Sequence, residues 1–161
     1  MTVTLGTVYA VSGAALALGV AGLSTAFGVK AAGVAGAGAV AEKKEHFKNA
    51  LILQALPQTQ TVYAFITALL ILMGAGLLGG GVKELSDAQG LAMLGAGVAV
   101  AVTGISAVMQ GLVASAGIVS CTKNPDAFAP SIVFAGQCET PAIFGFIASL
   151  ILLVVGLGVL G

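Results

Sequence analysis

Residues 13–24 read GAALALGVAGLS, and residues 95–106 read GAGVAVAVTGIS. Laid over each other, the two stretches match Gly13, Ala14, Ala17, Val20, Gly22 and Ser24 with Gly95, Ala96, Ala99, Val102, Gly104 and Ser106. Identity at 6 of 12 positions marks an internal repeat. A second pair follows at nearly the same offset: PQTQTVYAFITALLIL at 57–72 lies over CETPAIFGFIASLILL at 138–153, with Thr59, Phe65, Ile66, Leu69 and Leu72 recurring. One hairpin is written twice, and the expected division is 1–81 and 82–161. Each half holds two apolar runs, so the halves run in the same direction as a parallel repeat.

The composition places these hairpins in a membrane. The chain is 58% hydrophobic and 7% charged with a mean hydropathy of +1.11, whereas a soluble domain carries roughly 25% charged residues. Apolar runs cover about 8–36, 49–81, 89–121 and 130–160, each longer than the roughly 20 residues a helix needs to cross a bilayer. The expected fold is therefore an all-α membrane protein of four transmembrane helices. A β-barrel is excluded, because the runs lack the alternation that lipid and lumen faces impose. The connections EKKEHFKN, VKELSDAQ and TKNPDAFAP leave no room for a soluble domain between spans. The opening MTVTLGTVYAVSGAALALG lacks a basic n-region and is needed as the first helix of the repeat, so it is expected to be retained. Lys43, Lys44, Lys48 and Lys123 lie in the first and third connections. The positive-inside rule then puts those connections in the cytoplasm and both termini on the opposite side.

Glycine crowds the first helix of each hairpin, at 13, 19, 22, 28, 33, 36 and 38 and again at 95, 97, 104, 111 and 117. In lipid, small side chains let backbones approach closely, so these helices suit an inner layer. The two cysteines, Cys121 and Cys138, have neither metal-ligand nor redox spacing and read as unpaired thiols. His46, the single histidine, lies in a charged connection away from both.

Between Val133 and the end of the chain the one acid is Glu139, in a position that tolerates a carboxylate only if it is neutralised, paired or bound to a cation. Counting from residue 45, Thr59 lies 14 residues into its helix and Gln60 15; counting from residue 125, Gln110 lies 15 and Glu139 14. All four reach one depth, roughly 20 Å along the helices. Leu56, Thr59, Gln60 and Tyr63 follow the spacing of one helix face. Pro57 cannot donate its N–H and crowds the carbonyl of Leu53, so a distortion that turns carbonyls toward a ligand is expected. The set offers a carboxylate, a hydroxyl, two amide oxygens and a backbone carbonyl, with Tyr63 as a donor to the acid. Oxygen donors with one negative charge suit a hard monovalent cation; the other reading is a set of interhelical hydrogen bonds around a protonated acid. In the first hairpin Gln58 stands at the position of Glu139 and Gly28 at that of Gln110, so the second hairpin alone kept the acid. Lys30 shares the same depth and is expected to snorkel or meet lipid headgroups rather than pair with Glu139.

At these residues the chain resembles the duplicated four-helix rotor-ring proteolipid, the c or K subunit, of rotary V-type and A-type ATPases. LQALPQTQTVY (53–63), MQG (109–111) and ETPAIFGF (139–146) are similar to the family's second-, third- and fourth-helix motifs. Pro141 and Gln58 depart from its usual residues. The resemblance implies, for sodium-coupled members, a Na⁺ site made by the Leu56 carbonyl, Thr59, Gln60, Gln110 and Glu139, with Tyr63 bonded to the glutamate. It also implies a homo-oligomeric ring that turns in the lipid against a stator subunit and grips a central stalk, with no nucleic-acid partner. The expected function is ion carriage by ring rotation. No GxxxxGK[ST] phosphate loop is present, so the chain is expected to be a non-catalytic subunit. The alternatives are the same rotor coupled to H⁺ and a passive structural or pore-forming four-helix protein.

Overall fold

A backbone surrounded by hydrocarbon must satisfy its own hydrogen bonds, and helices do so within one segment. The structure, a computed structural model, describes residues 4–79, 81 and 83–157. The described residues form four apolar helical spans, Leu5–Glu42, Lys44–Gly74, Asp87–Lys123 and Pro125–Gly156. The expected 81/82 division falls beside Gly80 and Val82, which lie outside the described residues, as do 158–161 at the end of the last apolar run.

The first span is one helix, α1 (Leu5–Glu42), started by the Thr4 side chain, which accepts the Thr7 N–H at 3.2 Å. In the second, α2 (Phe47–Ala55) and α3 (Thr59–Gly74) are separated by a 3₁₀ turn at Leu56–Gln58. This is the distortion expected of Pro57, around which Leu56 N–H turns to Leu53 O and Thr59 N–H to Leu56 O. The third span holds α4 (Asp87–Thr103) and α5 (Ser106–Lys123), broken at Gly104 and Ile105. A reciprocal capping box between Ser86 and Gln89 starts α4. The fourth holds α6 (Phe128–Gln137) and α7 (Thr140–Gly156), broken at Cys138 and Glu139, with Pro141 in the first turn of α7.

The first and third spans pack on each other along their length, with α3 against α1 and α7 against α4. Their seam is a ladder of small residues. A Cβ on Gly90 would run into Gly6, one on Gly97 into Gly13, one on Gly104 into Ala21 and one on Gly111 into Gly28. The third-span members recur every 7 residues, the period at which two helices stay in contact with a gentle left-handed crossing. Van der Waals contact between backbones thus replaces the hydrophobic drive that lipid removes.

Two apolar clusters flank the middle of the bundle. Ala10, Ala14, Ile71, Met93 and Leu153 fill one end, and Ala39, Ala50, Leu53, Ile118 and Cys121 fill the end nearer the first and third connections. Large apolar side chains such as Leu23, Phe27, Val34, Phe134 and Phe144 point outward and are exposed, as expected where the solvent is lipid.

Candidate functional site

The polar layer lies between the two clusters. Gln60, in the first turn of α3, and Gln110, on α5, are both fully buried, and Gln60 Nε2 donates to Gln110 Oε1 at 2.7 Å. The break at Pro57 sets Thr59 beside them: its hydroxyl stands 3.2 Å from the Leu56 carbonyl and 3.3 Å from Gln60 Oε1. One hydroxyl hydrogen serves one of these acceptors at a time. The Leu56 carbonyl also accepts the Thr59 N–H.

Glu139 is half-buried at the junction between α6 and α7. The Tyr63 hydroxyl donates to its Oε1 at 2.6 Å, the short distance of a charge-assisted bond. The Tyr63 ring stacks on Phe146 with centroids 5.3 Å apart and planes at 20°. One turn further along, the fully buried Thr67 and Ser149 hydroxyls meet at 3.1 Å. The ring stack and the hydroxyl pair tie α3 to α7 beside the carboxylate.

The structure therefore brings the candidate residues together as two sets, Leu56–Thr59–Gln60–Gln110 and Tyr63–Glu139. Among the described residues no direct hydrogen bond joins the sets. Each set still has oxygen lone pairs to offer. Among the described residues no three His, Cys, Asp or Glu side chains gather anywhere, and Glu139 is the one carboxylate of the two sets. Lys30 is exposed on α1 and, among the described residues, makes no ion pair with Glu139. Both thiols are free, Cys121 buried and Cys138 half-buried.

Gln58, at the repeat position of Glu139, is exposed in a cleft of about 560 Å³ between α1 and α3. Beside it, Thr61 Oγ1 and Thr25 Oγ1 meet at 2.7 Å. A neutral amide takes the place of the acid there, so the first hairpin carries no ionisable counterpart of the site.

Phe146, Thr67, Ser149 and Ser106 were not among the residues expected from sequence. The repeat aligns Phe146 with Phe65 and Ser106 with Ser24, but periodicity alone does not distinguish a stacking or hydrogen-bonding residue from packing. Ser106 Oγ and Gln110 Nε2 are buried without a hydrogen-bond partner.

The family model for the C subunit of ATP synthase matches this chain twice, at residues 12–71 and 94–152. The A-type ATP synthase subunit K of Methanocaldococcus jannaschii is 39% identical over 142 residues, covering 88% of this chain. The match spans 60% of that relative's own length. The V-type sodium ATPase subunit K of Enterococcus hirae is 41% identical over 148 residues, covering 91% of each chain. Two matched segments coincide with two tandem hairpins of apolar spans, and this multi-pass membrane protein belongs to the ATP synthase C-subunit family.

Proposed function

We propose that this chain is the ion-carrying rotor-ring subunit of a V/A-type rotary ATPase, that Glu139 is its carrier, and that Na⁺ is the ion it moves. The observation that carries the reading is a single carboxylate held by a tyrosine hydroxyl at 2.6 Å, at the depth of two buried glutamines and a threonine. The name of the Enterococcus relative, a sodium ATPase subunit, supports the choice of ion. Leu56, Thr59, Gln60 and Gln110 offer neutral oxygens, Glu139 supplies the charge, and Tyr63 holds the carboxylate in place.

The mechanism follows from two environments. Facing lipid, Glu139 has to be neutralised by Na⁺ or a proton, because a bare carboxylate is strongly disfavoured there. Facing a stator's cationic group and a water-filled half-channel, it releases the ion. Moving one charge against 100 mV takes about 2.3 kcal/mol, supplied through the central stalk by ATP hydrolysis elsewhere in the complex. The turning unit is a closed homo-oligomeric ring, the natural assembly for a subunit with two different sides.

The other reading is the same rotor coupled to H⁺: a proton on Glu139 needs none of the neutral oxygens, and Gln60 and Gln110 already bond to each other at 2.7 Å. Labelling by dicyclohexylcarbodiimide separates the readings, since this reagent attacks protonated carboxyls from the apolar phase. With Na⁺ as the ion, added Na⁺ slows labelling of Glu139, more Na⁺ is needed as pH falls, and K⁺ protects less. Labelling that follows pH and ignores Na⁺ assigns the rotor to H⁺.

A further inference from the structure

Gln110 is only half accounted for. A primary amide offers one acceptor oxygen and two donor hydrogens. Its Oε1 takes the Gln60 bond at 2.7 Å, while Nε2 is buried without a partner. A second unpartnered group lies one turn away, the buried hydroxyl of Ser106. Its repeat counterpart, Ser24, donates to Val20 O four residues back, at 2.8 Å. The corresponding carbonyl for Ser106 is that of Val102, in the turn where the third span breaks; it accepts the Ile105 N–H at 3.3 Å, while the Gly104 N–H goes to Val100 O at 2.8 Å, and Ser106 Oγ is not bonded to it. The break therefore releases the hydroxyl from its own helix.

Residues four apart on a helix share a face, with Cβ atoms about 5–6 Å apart. Two hydrogen bonds through one oxygen atom span such a gap, and a buried water is stable where it meets two or more otherwise unsatisfied polar groups. We propose that Ser106 is a positioning residue for Gln110, acting through one buried water that accepts from Gln110 Nε2 and bonds to Ser106 Oγ. The inference rests on reading the Glu139 layer as a sodium site.

The bridge matters because the glutamine pair does not choose its own direction. Turned over together, Gln60 and Gln110 keep their mutual bond, and the Thr59 hydroxyl serves either orientation because it both donates and accepts. An unpaired buried N–H is tolerated less well than an under-satisfied carbonyl. Without an acceptor at Ser106, the amide gains by turning its N–H toward the cation layer. With the bridge, Oε1 faces that layer and Nε2 is satisfied behind it.

The test uses the full-length protein in membranes and reads carbodiimide labelling of Glu139 against NaCl. Ser106→Ala is expected to raise the half-protecting Na⁺ concentration about threefold to tenfold, the effect of losing one hydrogen bond, and Ser106→Thr to return it to the native value. An unchanged value in Ser106→Ala, or a shift that Ser106→Thr leaves in place, overturns the proposal. A density map of the native protein supplies a readout independent of sodium: a water within hydrogen-bond distance of both atoms supports the bridge, and its absence where other buried waters are resolved overturns it. Native labelling indifferent to Na⁺ would instead overturn the sodium reading, leaving the map to decide the bridge.

Discussion

Glu139 stands where the fourth span breaks, so its carboxylate is reached by Tyr63 from the neighbouring α3 rather than by groups of its own helix. Glu139→Gln fills the same volume but cannot alternate between a charged and a neutral form. The expected outcome is a ring that assembles yet shows no ATP-driven ²²Na⁺ uptake in reconstituted vesicles; normal uptake would remove Glu139 from the role of carrier. Tyr63→Phe keeps the ring on Phe146 and deletes the bond at 2.6 Å. Losing a hydrogen bond to a charged group, worth about 1.5–3 kcal/mol, is expected to raise the Na⁺ concentration for half-maximal ATPase activity roughly tenfold or more. Gln110→Ala and Thr59→Ala each remove one oxygen and are expected to raise it less. Unchanged sodium dependence in all three variants would point to protons.

The first and third spans depend on glycine at defined rungs, and a contrast between two substitutions isolates that dependence. A Cβ on Gly97 meets the Gly13 backbone, whereas one on Gly19 meets nothing within 4 Å. Overpacking costs about 1–3 kcal/mol, so Gly97→Ala is expected to lower the thermal unfolding midpoint of the detergent-solubilised protein. Gly19→Ala is expected to leave the midpoint unchanged or raise it, because alanine is the better helix former by about 1 kcal/mol. Equal effects at both positions would contradict the seam. The breaks in the second and third spans have local causes: a proline without an N–H at 57, and at Gly104–Ile105 a shift to tighter bonds such as Ala107 N–H to Gly104 O at 3.1 Å.

Across the whole molecule, the exposed apolar faces and the charged connections define a transmembrane body with two different ends. The lysines of the first and third connections lead us to propose that this end faces the cytoplasm. Glu45 and Asp126 are exposed there. Glu45→Cys and Asp126→Cys are therefore expected to react with a membrane-impermeant maleimide in inside-out vesicles and to be protected in right-side-out ones; the opposite pattern reverses the orientation. Native Cys121, buried against Ile118 and Ala135, should contribute little background in either preparation.

Sequence alone determined the spans and the duplication, because hydropathy and repeat are properties of the chain taken in order. It also set Thr59, Gln60, Gln110 and Glu139 at one depth, since helical rise turns residue number directly into distance, and Pro57 announced the break in the second span. The tertiary structure decided how those groups pair. Gln60 turns to Gln110 and Tyr63 to Glu139 because the spans cross at distances and rotations that a one-dimensional pattern does not specify. The same holds for the glycine rungs, whose partners depend on helix register, and for Ser106. Its repeat twin Ser24 bonds within its own helix at 2.8 Å, but a break in the third span takes that acceptor away, so two like residues in matching sequences meet different surroundings.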